Sequence, residues 1–456
     1  MPVPVIAVFD VGKTNKKLFL FNESYEIVFE RSERFDETVD EDGDPCEDLH
    51  SLRSFIHDGI DLILASTDFK VRAINFSAYG ASFAYIDESG KTIGPLYNYL
   101  KPYPEKLQKQ FYDTYGGEKL FSFLTASPVL GSLNSGMQLY RLKHEKPDFF
   151  SRIRYALHLP QYLSYLVTGK PFSEITSIGC HTNLWDFQSA GYHYWVQREG
   201  ILEKFPPIAP SDMVVQPQIS GHVYAVGIGL HDSSSALIPY LVAFQEPFVL
   251  ISTGTWAISL NPFNTNPLTM EELECDCLSF LQYTGKPVKA SRLFAGHHHD
   301  VEVTRIAAHF NQGKEKYFQL QFEQEMLSKI DAWFDGGQSD KKALLSDLRF
   351  SRRELSDFQN DVEAYHQLMY DLVVQQHIST GLILKGSSVR KVFVDGGFSY
   401  NAVYMNLLAS FFPEMEVYAS SVPQATAIGA ALAIHSAWNA EPFPENIVEL
   451  KRYRVA

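Results

Sequence analysis

A chain of 456 residues is longer than one compact core accommodates and predicts two large domains. Hydrophobic residues make up 45% and aromatic residues 14%, enough apolar surface to exclude a largely disordered chain. The formal net charge of -15 excludes a general nucleic-acid or membrane-surface binder, so an anionic ligand would have to be held by a local device.

Residues 3–9 are a short apolar run that ends at Asp10-Val11-Gly12, and a second run follows at 18–21, so the pattern predicts a strand, a polar turn and a returning strand. The acidic segment 36–47 reads as a solvated loop before a helix over 47–64. Strands are expected over 71–78 and 82–87, joined at Tyr79-Gly80-Ala81, and helices over 105–115, 135–144 and 160–167. The prolines Pro206, Pro207 and Pro210 mark a connector, which sets the expected division between residues 1–215 and 216–456. The second half opens with a strand over 223–228 that reaches His231-Asp232. An apolar run over 248–260, turning at Thr253-Gly254-Thr255, then repeats the plan of residues 9–20 and hints at internal duplication. A long amphipathic helix is predicted over 357–384, then a strand over 391–395 and a turn at Gly396-Gly397. A helix from Asn401, a strand over 416–419 and a closing helix over 426–439 complete the chain.

Cys46, Cys180, Cys275 and Cys277 are too few and too irregular for a disulfide framework and read as reduced thiols of a cytoplasmic protein. The N-terminal residues lack a charged stretch followed by a long apolar core, so no signal peptide is expected. No run reaches the ~18–20 apolar residues of a membrane span.

Three strands thus end in turns rich in glycine, Asp10-Val11-Gly12, Thr253-Gly254-Thr255 and Asp395-Gly396-Gly397. Glycine lets an anion approach the main chain, while hydroxyls and amides supply donors. Gly12-Lys13-Thr14 is not a P-loop, because the required glycine five positions earlier is Ala7. Asp232 precedes Ser233-Ser234-Ser235 and a helical run, a pattern that fits a helix cap or a catalytic base. Neighbouring histidines His297, His298 and His299 diverge on any regular element, which makes a shared metal site poor geometry and leaves a lid-loop reading. Trp256 reads as core, and Cys275 and Cys277 as structural thiols.

Taken in order, these motifs resemble the FGGY family of carbohydrate kinases. The resemblance rests on Asp10-Val11-Gly12 with Thr14 and Lys17, Ser252-Thr253-Gly254-Thr255-Trp256, Asp395-Gly396-Gly397 with Asn401, and the small-residue stretch 425–431. It implies an α/β fold of two actin-like ATPase (ribonuclease H-like) domains with a cleft between them, the first for sugar and the second for nucleotide. Residues 78–87, 157–169 and His231-Asp232 are most similar to the family's rhamnulokinase branch. That implies an ATP-dependent kinase acting on an L-rhamnulose-like ketose or a pentulose, with L-fuculose, xylulose or a polyol as alternatives and a catalytically silent sugar sensor as a reading of another class.

The resemblance further implies Asp232 as catalytic base, with Gly80, Ser82, His231, Asp232 and Ser233 at the sugar. Gly12, Lys13, Thr14, Asn15, Lys17, Thr253, Gly254, Thr255, Gly396, Gly397 and Asn401 fall to ATP, and Asp10 to Mg²⁺. The implied partners are a small sugar and ATP, with a homodimer allowed and neither nucleic acid nor membrane expected. The sequence departs from the family where Ser82 replaces an acid, Lys17 an arginine and Phe398 a third glycine, and where an asparagine near Arg292 is lost. These departures bear on which sugar is bound.

Overall fold

The computed structural model describes residues 1–334, 336 and 340–454. The chain packs as two compact units, each assembled from separated stretches. The first takes Met1–Ala243, Phe280–Lys286 and Pro423–Ile447, and the second takes Phe244–Ser279, Pro287–Val422 and Val448–Ala456. The division expected at 215/216 is therefore displaced. The proline connector does not end the first unit, because Ala225–Gly227 and Leu230–His231 both pair in parallel with the strand Phe69–Ala78.

In the first unit the opening apolar run forms the strand Val3–Val11, whose residues Val5, Ile6, Ala7, Val8 and Phe9 are all fully buried. A strand covered on both faces has no polar side to show, which is why its sequence does not alternate. It pairs antiparallel with Lys16–Asn22, which pairs antiparallel with Ile27–Glu33, and on its other edge it runs parallel to Phe69–Ala78. The helix Leu49–Ala65 is capped by the Asp48 carboxylate on the His50 amide and contributes Leu52, Phe55, Ile56, Ile60 and Ile63 to the core of this sheet. A further strand, Phe83–Ile86, lies beside Tyr155–His158, so Gly80 sits at the bend between the sheet and this small satellite.

The acidic segment is not the freely solvated loop expected. The Lys101 ammonium, 3% exposed, lies among Asp40, Asp42 (2.8 Å) and Asp44 (3.0 Å), and the Tyr97 hydroxyl donates to Glu41. A lysine is buried only where carboxylates compensate it. The acids are thus held around a cation supplied from a remote part of the chain.

The second unit repeats the first unit's strand plan. Phe248–Thr253 pairs antiparallel with Ala257–Asn261, which pairs antiparallel with Pro287–Leu293. On the other edge it runs parallel to Lys391–Gly396, which is followed by Glu416–Ser421 in parallel and Glu449–Tyr453 antiparallel. The duplication hinted at by residues 9–20 and 251–260 is present as repeated topology.

The helix Asp361–Leu384, capped by Asn360 on the Glu363 amide, is buried on nearly all sides and is not the amphipathic element expected. Several of its polar residues turn inward and donate to neighbouring elements: Gln376 donates to Ser259 Oγ and Thr380 Oγ1, and Ser379 donates to Ser291. The closing helix is shorter than expected. It spans Ala425–Ala433, and a single turn at His435–Ala437 follows.

Candidate active site

The first glycine turn is built as its sequence suggests. The Gly12 amide donates to the Asn15 carbonyl at 3.0 Å, and Asp10 faces Lys17 across the hairpin. Side chains around the turn hold one another: Lys13 Nζ lies 2.5 Å from Glu37, Lys17 Nζ lies 3.2 Å from Glu30, and Arg34 Nε donates to Asn15 Oδ1. Partly exposed pairs of this kind contribute about 1 kcal/mol or less, so an anionic ligand can redirect these donors. Thr14 is exposed at the tip.

Asp10 accepts the Thr426 hydroxyl at 2.7 Å. Burial pushes its carboxyl up to about 6; the Thr426 bond opposes the rise and the nearby charge of Asp232 adds to it. Two carboxylates therefore share one neighbourhood, an arrangement that favours a bound cation or a shared proton.

His231 closes the short strand Leu230–His231 and Asp232 opens the helix Asp232–Ala243. The Asp232 carboxylate accepts from its neighbour Ser233, amide at 2.6 Å and hydroxyl at 3.2 Å. A cap would bond amides two or three residues on, so the carboxylate is oriented but is not tied up as the cap its sequence allows. His231 Nε2 lies 3.3 Å from Asp232 Oδ1 and 3.8 Å from Cys180 Sγ. Burial pushes this imidazole below its usual range against the opposing pull of Asp232.

Gly80 explains itself here: a Cβ on it would stand 2.5 Å from His231 Cδ2. The residue makes room for the ring that touches Asp232. Next to it, the Tyr79 hydroxyl donates to Glu47 at 3.1 Å, and Glu47 pairs with the buried Lys16 at 2.5 Å. Ser82 differs from expectation. It is 1% exposed and its hydroxyl donates to the Tyr97 carbonyl at 2.8 Å, so its one donor is spent on bracing the satellite strand.

In the second unit, Gly254 and Thr255 are exposed on the turn after Phe248–Thr253. A Cβ on Gly296 would strike the Gly254 carbonyl at 1.9 Å, and one on Gly396 the Thr253 carbonyl at 1.9 Å. The three backbones are packed into near contact, and Gly396 also holds φ at +84°. Thr253 departs from the donor role expected: its hydroxyl donates to the Asp395 carbonyl at 2.5 Å and accepts from the Phe398 amide at 3.0 Å, locking the two turns together. Asn401 likewise caps the helix Ala402–Phe411 through the Tyr404 amide and donates to Tyr365 at 2.6 Å.

Thr255, Gly296, His299, Phe318, Gly397 and Tyr400 are among the residues that line a cavity of about 370 Å³, a size suited to a small-molecule ligand. A slightly larger cavity, about 390 Å³, lies between Lys289, Lys341, His377 and Lys385 and holds none of the expected site residues. His297, His298 and His299 form the first turns of the helix Ala295–His309 and are not a lid loop. His299 is buried against Tyr365 at 3.1 Å. Trp256 is 40% exposed and is not core; it stacks on Phe294 at 4.4 Å with Arg292 on the ring at 5.3 Å. The four cysteines are buried and none is in a disulfide, and among the described residues no helix is long and apolar enough to cross a membrane.

Residues 5–238, about half of the chain, match the model of the FGGY family of carbohydrate kinases, N-terminal domain. The chain belongs to the FGGY family. The matched region takes in Asp10, Gly80, His231 and Asp232 and stops inside the helix that Asp232 opens. Among curated FGGY-like relatives, a rhamnulokinase from Halalkalibacterium halodurans is 23% identical over 266 residues, covering 55% of this chain and 54% of that protein. The chain spans about half the length of the curated relatives it matches. A carbohydrate kinase from Novosphingobium aromaticivorans has a similar structure, with TM-score 0.78, 22% identity and coverage of 98% and 96% of the two chains. So does Plasmodium falciparum glycerol kinase with ADP, at TM-score 0.76 and 16% identity, covering 96% and 90%. At these identities the likeness establishes the actin-like two-domain α/β fold of FGGY kinases for both units.

Two residues that hold the candidate site together escape a sequence reading. Thr426 reaches Asp10 from 416 positions away, and the buried Glu174 accepts the Thr176 hydroxyl at 2.5 Å, which in turn accepts the His231 amide at 3.0 Å. Nothing in the local patterns around Thr426 or Glu174 signals these contacts.

Proposed function

We propose that the protein is an ATP-dependent carbohydrate kinase that phosphorylates a ketose, an L-rhamnulose-like deoxyketohexose or a pentulose, at its 1-hydroxyl or terminal hydroxyl. The observation that carries this reading is Asp232. Its carboxylate is partly exposed, oriented by Ser233, touched by His231 and set near Asp10. Phosphoryl transfer asks mainly for positioning and charge neutralisation, with one group to take the proton of the attacking hydroxyl. Asp232 takes that proton, and His231 steadies the carboxylate in the geometry needed to accept it.

The turn 12–15 supplies Lys13, Thr14, Asn15 and Lys17 as phosphate donors, and Gly254, Thr255 and Gly397 offer bare backbone to the nucleotide. Thr253 and Asn401 contribute by holding that backbone, and Gly80 by making room for His231. Asp10 fits a hard divalent cation: it is a half-buried carboxylate with Asp232 nearby, and a cation would relieve its elevated proton affinity. Neutralisation of phosphate charge is the chemistry a Mg²⁺ ion supplies there. The rhamnulokinase names of the curated relatives favour a deoxyketohexose.

ADP release with a panel of ketoses, aldoses and polyols tests the reading. Asp232→Asn is expected to lower kcat by about 10²–10⁴-fold while leaving the melting temperature close to wild type. Substantial residual turnover in that variant would remove Asp232 from the role. Sugar binding without ADP formation by the wild type would turn the reading into that of a sensor.

A further inference from the structure

One segment near Asp232 has a conformation that its composition does not ask for. His181 holds φ at +39° and Asn183 at +64°, two left-handed non-glycine residues within three positions. Such backbone costs about 1–3 kcal/mol per residue and persists only where the surroundings impose it. The surroundings do so one carbonyl at a time. Asn134 Nδ2 donates to the His181 carbonyl at 2.8 Å, the Gly136 amide to the Thr182 carbonyl at 2.9 Å, and Trp195 Nε1 to the Asn183 carbonyl at 2.7 Å. Gly136 must be glycine for this, since a Cβ there would meet the Thr182 carbonyl at 2.8 Å.

The turn displays a half-buried imidazole. His181 Nδ1 lies 3.0 Å from Cys180 Sγ, that thiol lies 3.8 Å from His231 Nε2, and His231 Nε2 lies 3.3 Å from Asp232 Oδ1. The His181 and His231 rings are 6.3 Å apart, comparable with the length of a short sugar carbon chain. Since His231 in turn touches Asp232, His181 stands one ring beyond the carboxylate.

The charges nearby define what else the chain can carry. Asp10 and Asp232 are acids, and Tyr79 leads to a third, Glu47. The lysines on this side are engaged: Lys16 on Glu47 and on the Lys13 carbonyl at 3.0 Å, and Lys17, whose charge acts on Asp10, on Glu30 at 3.2 Å. A ligand carboxylate would meet acids, with these two cations already paired.

We propose that His181 is a substrate-contacting, specificity-determining residue of the Asp232 site. It reads a hydroxyl distal to the reacting one on an uncharged polyhydroxy chain, so that the site takes neutral ketoses and rejects sugar acids. This inference rests on the kinase reading for the identity of the site, and its test uses binding so that the two can fail separately.

The full chain is assayed with L-rhamnulose, L-fuculose, D-xylulose and D-gluconate, measuring each ligand's shift of the melting temperature and its Kd, and then kcat and KM with ATP. Glycine accepts the left-handed turn without strain, so His181→Gly removes the imidazole and keeps the loop. His181→Asn, a side chain also tolerant of that conformation, is the second variant. The expected result is that a ketose stabilises the wild type and gluconate does not. His181→Gly should then weaken ketose binding by about tenfold, the loss of one hydrogen bond, with the KM for ATP within about twofold. Ketose affinity unchanged in both variants, equal stabilisation by gluconate, or no stabilisation by any ketose each overturns the proposal. Binding that depends on His181 without ADP formation supports it and removes the kinase reading alone.

Discussion

His231 depends on a residue with no side chain. The ring occupies the space above Gly80, and its Nε2 contact with Asp232 follows from where that space lies. Gly80→Ala inserts a methyl group 2.5 Å from His231 Cδ2, and the ring must rotate away or the bend at 79–81 must open. The expected outcome is a fall in kcat of about tenfold or more, on the view that a small misplacement near a reacting group is costly. Far-UV circular dichroism should stay unchanged. Sequence reasoning singled out Gly80, His231 and Asp232, because each belongs to a motif or marks a turn. Ser82, Thr253 and Asn401 donate to the protein itself, Ser82 and Thr253 to carbonyls and Asn401 to the Tyr365 hydroxyl, contacts that no local pattern announces.

At the level of elements, the helix bearing Asp232 is held by a second helix at backbone distance. A Cβ on Gly429 in Ala425–Ala433 would stand 1.8 Å from the Ser235 carbonyl oxygen, and the Ser235 hydroxyl donates to the Thr426 carbonyl at 2.7 Å. Gly429→Ala is therefore expected to cost about 1–3 kcal/mol, as overpacking does, and to reduce kcat as well, since the displaced helix carries Asp232 at its first position. Thermal melting and steady-state kinetics on the same sample check both effects. The small residues at 425–431 announced a close-packed helix, and in this the pattern was informative. The helix Asp361–Leu384 was legible in length and misleading in character: it is buried on nearly all sides, and polar residues such as Gln376 and Ser379 meet Ser259 and Ser291. Hydrophobic periodicity reports which residues avoid water and is silent about polar groups whose partners lie on another element.

For the molecule as a whole, buried neutral histidines set an acid limit. Burial, with the nearby His231 and His181, pushes His158 from 6.5 down to about 3, and burial also lowers His193, His299, His366 and His377. Each is harder to protonate in the folded state than in the unfolded chain, which takes up a proton below about 6.5. Their stabilisation is thus fully present above that pH and declines as the pH falls toward the folded-state values. His158 alone should contribute a loss of about 2 kcal/mol between pH 7.5 and 5. His158→Gln, which can still reach the Ser135 hydroxyl now 3.0 Å from Nε2, should flatten the dependence of the melting temperature on pH over that range. The two-unit α/β plan was legible because repeated apolar runs ending in glycine turns survive in one dimension. The membership of each unit was not, since it depends on strand pairing and helix contact across hundreds of residues. That membership has a consequence for how the protein is made. The first unit closes with Pro423–Ile447, the segment that brings Thr426 to Asp10 and Gly429 to Ser235. On the ribosome, residues 1–243 emerge long before that segment, with the seat of the helix Ala425–Ala433 still bare. The unit begun first is thus completed only after residues 287–422 of the second have been made, and until then the growing chain must shelter an unfinished apolar surface.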